Sequence, residues 1–213
     1  MRCRRLPPAG MELYALEIQT RARAASWPAD TSLQWKVTMN RKVILLGICL
    51  IVTGCLGTGP AGHNAVPQPA KSVDIKRYSG LWYELARYEN GFEKGCEGVT
   101  AEYALKPSGE IRVLNTCREG SPSGPVRTSE GSARIVEGSG NAKLKVSFFG
   151  PLYVGDYWIL DRASDYSWSI VGEPSGRYLW LLARTPSKAI QSELIGRAKR
   201  LGYDTSLLRL TSQ

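Results

Sequence analysis

The sequence predicts an all-β fold: an eight-stranded antiparallel up-and-down β-barrel with one C-terminal α-helix packed outside. From Val73 onward, short apolar segments are separated by turn signals at intervals of roughly ten to fifteen residues, a spacing typical of all-β sandwiches and barrels. The connections between these segments are short, as in a series of antiparallel hairpins. Closing the sheet into a barrel removes the two edges that an open eight-stranded sheet would expose.

The predicted strands follow one another along the chain. The first three are "WYELARYE" (82–89), "VTAEYAL" (99–105) and "EIRVLNTC" (110–117), and "KPSG" (106–109) forms the turn between the last two. "SARIVE" (132–137) and "KLKVSFF" (143–149) flank a turn at Gly138, Gly140 and Asn141. "DYWILD" (156–161), "YSWSIVGE" (166–173) and "RYLWLLAR" (177–184) complete the eight strands, and "SLLRL" (206–210) is a candidate short ninth.

One segment has the period of a helix. Ser187 can cap a helix that runs to about Leu201, and Gly202 would end it. The apolar residues Ile190, Leu194, Ala198 and Leu201 recur at helical spacing and form one stripe. We therefore expect this stripe to pack against the outer wall of the barrel.

An eight-stranded barrel can enclose one small ligand. Side-chain alternation predicts an apolar and aromatic inner face, with Ser167 and Ser169 on the opposite side of their strand. Such a lining favours an apolar ligand whose polar head is held by a Tyr or Trp side chain, and the alternative is plain core packing with no cavity. The candidate ligand-binding residues are Tyr103, Val113, Val146, Phe148, Tyr157, Trp168, Ile170, Tyr178, Trp180 and Leu182.

The segment before the predicted barrel has the layout of a secretory signal. In "MNRKVILLGICLIVTGC", Arg41 and Lys42 precede a ten-residue apolar run that is too short to span a bilayer. The ending "VTGC" resembles the lipobox of bacterial lipoproteins, which implies cleavage before Cys55 and acylation of that residue. We therefore predict an over-extended, unstructured N-terminus at 1–38, a lipoprotein signal peptide at 39–54, a lipidated cysteine and flexible tether at 55–72, and the barrel at 73–213.

Composition argues against several classes of function. The net charge of the whole chain is +9, but residues 55–213 keep 20 basic and 16 acidic residues without a basic block, so nucleic-acid binding is not expected. The only histidine, His63, lies in the predicted tether. The barrel therefore has no histidine for acid–base catalysis or for a His-based metal site, and we expect no metal and no cofactor.

Three motifs resemble the signatures of the lipocalin family. "YSGLWYELAR" (78–87) is similar to the first signature, with Gly80 and Trp82 in its defining positions; "GDYWILD" (155–161) is similar to the second, apart from Gly155; and "LLARTP" (181–186) is similar to the third. The resemblance implies that Trp82 closes one end of the barrel and that Arg184 stacks on it. "GFEKG", "LKVSFFGP" and "YLWLLARTP" make the match closer to the bacterial outer-membrane lipoprotein lipocalins.

That resemblance implies a non-enzymatic protein that binds fatty acids or lysophospholipids for storage or transport in membrane maintenance. It would be lipid-anchored in the outer membrane of a bacterial cell, with its domain facing the periplasm. A homodimer is left open. Two alternatives are a carrier of another hydrophobic molecule, such as a pigment, and an enzyme built on the same barrel with Glu84 or Asp156 near the cavity.

Two pairs of residues complete the predictions. Cys96 and Cys117 are expected to form a disulfide in an oxidising compartment, although strand alternation places them on opposite faces unless a bulge occurs at Gly98; the alternative is two free thiols. Glu84 and Arg87 are expected to pair with each other or with neighbouring strands rather than to bind a ligand.

Overall fold

The computed structural model describes residues 67–213, so Cys55 and the predicted segments 1–38 and 39–54 lie outside the described residues. A short helix, α1 (Ile75–Tyr78), precedes the first strand, and a second helix, α2 (Lys188–Arg200), follows the eighth. The strands are β1 (Gly80–Tyr88), β2 (Cys96–Leu105), β3 (Ile111–Glu119), β4 (Val126–Ile135), β5 (Lys143–Ser147), β6 (Gly155–Arg162), β7 (Trp168–Gly172), β8 (Leu179–Ala183) and β9 (Leu208–Leu210).

Strands β1 to β8 form a closed antiparallel barrel. Each strand pairs with the next along the chain from β2 to β8, and β1 pairs with both β8 and β2. The predicted up-and-down barrel is therefore confirmed. The pairing of β1 with β2 covers only Gly80 to Tyr83, and the short strand β9 pairs with the second half of β1, from Ala86 to Tyr88.

The two ends of the barrel differ. Helix α1 and the turns at 136–142 and 163–167 lie together at one end, because Val73 N–H donates to Gly140 and the Tyr166 hydroxyl accepts from Asp74 N–H. We call this the closed end. The loops at 89–95, 120–125, 148–154 and 173–178 lie at the opposite end, which we call the mouth.

Helix α2 covers part of the outer wall, as predicted. Ser187 caps it by accepting from Ile190 N–H, and Gly202 follows its end with a φ of +92°. Leu194 and Ala198 are fully buried in an apolar cluster formed with the outward side chains of β6, β7 and β8. No helix within residues 67–213 is both long and apolar enough to cross a bilayer.

One predicted strand boundary differs clearly from the observed one. Strand β4 begins at Val126 rather than at Ser132, because its first residues are polar and exposed and carry no apolar alternation. The last residues of the predicted tether contact the barrel: Lys71 Nζ lies 2.9 Å from Asp161, and Ala70 N–H donates to the carbonyl of Leu160. These two hydrogen bonds hold the residues just before Val73 against β6.

Candidate functional site

Trp82 and Arg184 seal the closed end of the barrel. Trp82 is fully buried, and the guanidinium of Arg184 lies 3.9 Å from the centre of its rings. The same guanidinium donates to four backbone carbonyls in 77–81, which fixes α1 to the start of β1. Gly80 has a φ of +95°, and a Cβ there would lie 3.3 Å from Arg184. A positive φ and little free space both favour glycine at this position.

The inner face of the barrel is mainly apolar and aromatic. Side chains pack against one another inside the barrel, among them Ile111 and Leu144 near the closed end and Val171 further toward the mouth. Most of the predicted cavity residues belong to or pack against this inner cluster: Tyr103, Val113, Val146, Phe148, Tyr157, Trp180 and Leu182. Tyr178 lies next to the mouth, where its ring stacks on that of Trp180.

Trp168 and Ile170 are placed on the outer wall, not in the cavity, which corrects the prediction for these two residues. Both pack in the outer cluster, and the Arg197 side chain of α2 lies over the Trp168 ring at 4.3 Å. Ser169 and Val171 face inward instead. The prediction began the alternation of this strand at Tyr166, but Tyr166 has a φ of +65° and belongs to the preceding turn. Because α2 covers this strand, its outer face carries Trp168 and Ile170 and is the more apolar one, so hydrophobicity does not identify the inner face.

Hydroxyl groups converge within the inner cluster. The Tyr157 hydroxyl lies 2.9 Å from that of Tyr78 and 2.8 Å from that of Tyr103, and the Tyr78 hydroxyl lies 3.2 Å from Ser169 Oγ. Burial raises the pKa of Tyr78 to about 12 and that of Tyr157 well above its ordinary value. These groups are therefore neutral at physiological pH and can act as hydrogen-bond donors and acceptors.

A buried ion pair lies between this cluster and the mouth. Arg87 Nη1 donates to Glu84 Oε1 at 2.8 Å, and both side chains are almost inaccessible to solvent. The register of β1 with β8 shifts between Glu84 and Ala86, and this bulge allows both charged residues to face inward. Burial raises the pKa of Glu84 to about 7, and the nearby Glu93 contributes to the shift, whereas Arg87 opposes it. Asp156, in contrast, pairs with Lys145 at 2.8 Å and is not near these groups.

The mouth carries a group of aromatic rings beside a carboxylate. Trp180 Nε1 donates to Glu93 Oε2 at 3.0 Å. The ring centres of Tyr178 and Trp180 lie 5.7 Å apart with planes 4° from parallel, and the Phe92 ring lies 5.7 Å from Tyr178. Phe92 and Glu93 belong to the segment "GFEKG" that carries the family resemblance, but neither was predicted as a site residue, because both lie in a loop where alternation gives no signal.

The disulfide between Cys96 and Cys117 is present, with Cα atoms 5.2 Å apart. The register of β2 with β3 shifts between Glu97 and Thr100, and Gly98 has a φ of +51°. The bulge that this pairing required is thus at the predicted glycine. Arg127 Nη2 lies 3.2 Å from the sulfur of Cys96, so a cation borders the bridge.

Two recesses stand out on the surface of the described residues. One of about 280 Å³ is lined by Phe148 and by parts of β4 and β5, and one of about 610 Å³ lies beside the turn between β2 and β3. Neither recess is lined by Tyr178 or Trp180, the aromatic residues at the mouth. Within residues 67–213, no three His, Cys, Asp or Glu side chains come together as metal ligands could.

Comparisons with known proteins agree with this architecture. The lipocalin-like domain family matches residues 73–213. The outer membrane lipoprotein Blc of Vibrio cholerae is 38% identical over 177 residues, which cover 81% of this chain and 99% of the relative. The protein of the same name from Escherichia coli K12 is 39% identical over 160 residues, which cover 74% of this chain and 86% of the relative. Insecticyanin from the tobacco hornworm Manduca sexta has a similar fold, with a TM-score of 0.54, 18% identity and coverage of 70% of this chain and 84% of that chain.

Proposed function

Because the chain belongs to the lipocalin family, we propose that it carries a fatty acid or a lysophospholipid in its barrel, for lipid storage or transport in membrane maintenance. The observation that carries this proposal is the closed barrel with an apolar, aromatic inner face. A lipid tail of low polarity is the kind of ligand that such a lining favours. The role is binding without catalysis.

We further propose that the protein is held in a bacterial outer membrane by acyl chains on Cys55, with the barrel facing the periplasm. Two or more acyl chains give stable anchoring, since each buried CH₂ contributes about 0.8 kcal/mol. The names of the relatives from Vibrio cholerae and Escherichia coli, both outer membrane lipoproteins, support this location. Mass spectrometry of the N-terminal peptide of the protein extracted from membranes tests it, and an unacylated Cys55 would contradict it.

Uptake of lipid can be tested with the full chain after removal of bound lipid. We expect brominated fatty acid or brominated lysophospholipid to quench tryptophan fluorescence, because Trp180 lies on the inner face. Replacing Trp180 by Phe should remove most of this quenching. The matched variant Trp168→Phe should retain it, because Trp168 lies on the outer wall under α2.

The quenching experiment distinguishes a lipid carrier from a barrel whose interior is filled by side chains and binds no lipid. No quenching, together with no lipid in organic extracts of the purified protein, would refute the proposal. Equal loss of quenching in the two variants would show that the lipid lies outside the barrel.

A further inference from the structure

The disulfide between Cys96 and Cys117 lies against a guanidinium group. Cys117 and Arg127 are directly opposite each other in the ladder of β3 and β4, so their side chains lie on the same face of the sheet. Arg127 Nη2 lies 3.2 Å from Cys96 Sγ and 3.6 Å from Cys117 Sγ. A disulfide sulfur is uncharged and a weak hydrogen-bond acceptor, so the closed bridge gains little from this cation.

The charge of Arg127 is available to the sulfur atoms. Its Nε lies 3.3 Å from Glu119 Oε1, but both side chains are about half exposed, and an exposed ion pair of this kind is weak. The Nη2 group is the part of the guanidinium that faces the bridge. A thiolate formed at either cysteine would therefore lie beside a cation, and a neighbouring cation stabilises a thiolate.

The two cysteines differ in their access to solvent. Cys96 is fully buried, whereas Cys117 keeps 9% of its surface exposed. In thiol–disulfide exchange a thiolate attacks one sulfur of the bridge, and the other sulfur leaves as a thiolate. Attack at the more exposed Cys117 makes Cys96 the leaving group, and Cys96 Sγ is the sulfur closer to Arg127. Access and charge therefore favour the same direction of attack.

We propose that the bridge between Cys96 and Cys117 is a site of reversible thiol–disulfide exchange with a small dithiol, activated by Arg127. The bridge lies on the inner side of the wall at the mouth and is nearly buried, so it suits a small reductant better than one carried by a protein. The redox state of the bridge then depends on the dithiols and disulfides that reach the mouth.

The exchange has two steps. A thiolate of the dithiol attacks Cys117 Sγ and forms a mixed disulfide, while the bond between the protein sulfurs breaks and its electron pair goes to Cys96 Sγ. The second thiol of the dithiol then closes a cyclic disulfide and releases Cys117. Two electrons and two protons leave the dithiol; the electrons go to the two cysteines, and the protons go to the cysteines or, where Cys96 stays a thiolate, one goes to solvent. Reaction of the two protein thiols with a small disulfide reverses both steps.

Opening the bridge acts on the loop at 89–95, which forms one side of the mouth. Cys96 N–H donates to the carbonyl of Glu93 at 3.0 Å, and the Cys96 carbonyl accepts from Arg209 Nη1 at 2.8 Å. Arg127 Nη1 lies 3.5 Å from the Phe92 carbonyl. The closed bridge fixes Cys96 to β3 and so holds these bonds in place. We expect the loop to become more mobile when the bridge is reduced.

Reduction kinetics test the proposal on the full chain in native buffer. Dithiothreitol serves as the dithiol, excess iodoacetamide in urea stops the reaction, and peptide mass spectrometry counts the thiols at Cys96 and Cys117. We expect reduction to be about tenfold slower in Arg127→Gln than in the wild type, because the leaving thiolate loses its cation. Arg127→Lys, which keeps the charge, should restore most of the rate. The control Arg112→Gln removes a guanidinium that pairs with Glu130 away from the bridge, and it should leave the rate unchanged.

Three kinetic outcomes would overturn the proposal. Equal rates in the wild type and Arg127→Gln, or an equal slowing in Arg112→Gln, would show that Arg127 has no specific role. A wild-type rate that stops rising with dithiothreitol concentration would show that the bridge is reached only after unfolding. The wild-type rate should also fall as added salt screens Arg127, a measurement that needs no variant, and a rate independent of salt would contradict the role of its charge.

Hydrogen exchange tests the effect on the loop. The amide of Cys96 should exchange faster in the reduced than in the oxidised wild type, at a pH and temperature at which both remain folded. The amides of α2, which lies on the outer wall, should show no change of comparable size and serve as the control. Unchanged exchange at residues 92–98 after reduction would overturn the link between the bridge and the loop.

Discussion

The buried carboxylate of Glu84 should make folding stability depend on pH. Burial raises its pKa from 4.5 to about 7 in the folded protein. Below pH 4.5 the group is protonated in both the folded and unfolded chains. As the pH rises, the unfolded chain loses this proton first, so the folded state binds more protons and its stability falls until the folded group has also ionised. A shift of this size corresponds to about 3 kcal/mol, since one pKa unit is about 1.4 kcal/mol.

The variant Glu84→Gln removes the titrating group and keeps an oxygen that can accept from Arg87. We expect the free energy of unfolding of the wild type, measured relative to this variant by urea denaturation, to fall by about 3 kcal/mol as the pH rises from 4.5 to 7. Glu110→Gln provides a contrast of opposite sign. The pKa of Glu110 is lowered to about 2 by hydrogen bonds from Tyr153 and Lys106, so its contribution is present above pH 4.5 and is lost as the pH falls toward 2. Parallel curves for the wild type and Glu84→Gln across this range would show that desolvation does not control Glu84.

Two further predictions concern the outer wall and the disulfide. Trp168→Ala should lower the free energy of unfolding by about 3 kcal/mol in urea denaturation without changing lipid affinity, because its ring packs under α2; a large loss of lipid affinity would contradict the outward placement. The double variant Cys96→Ser, Cys117→Ser should also lose about 3 kcal/mol, because the bridge closes a loop between residues 21 apart in sequence, and reductant should destabilise the wild type but not the variant.

Much of the fold could be predicted because local signals agreed with one another. The hairpin of β2 and β3 has apolar alternation on both sides of a turn in which Gly109 has a φ of +85°. Helix α2 has a capping residue, an apolar stripe and a terminal glycine in the expected order. Strand β4 was predicted only in part, because the residues that pair with the mouth half of β3 are polar on both faces. That segment forms a strand because it pairs with β3, although its own sequence has no strand-like alternation.

The inner face of β7 could not be predicted from alternation because helix α2 makes the outer face of this strand more apolar than the inner face. Trp168 and Ile170 pack under α2, and Val171 packs in the interior. The inward residue between the first two is Ser169, a polar residue whose partner, Tyr78, comes from α1. A polar side chain that faces the interior departs from the usual pattern of a barrel strand. The hydrogen bond with the hydroxyl of Tyr78, a residue far away in sequence, explains it here.

The two bulges show why alternation fails at the mouth of the barrel in particular. In both strands the bulge lies on the mouth side of the last pair between β1 and β2, which joins Tyr83 and Thr100. An extra residue bends a strand away from its neighbour. The last residues of the sequence occupy the resulting gap: Gly98 N–H donates to Ser212, and Gln213 Nε2 donates to carbonyls of both strands. The same bulges shift the alternation by one residue, which turns Arg87 and Cys96 inward. The two bulges therefore account for the gap between β1 and β2, for the inward position of Arg87 and for the disulfide at the mouth. A strict two-residue alternation cannot predict any of the three.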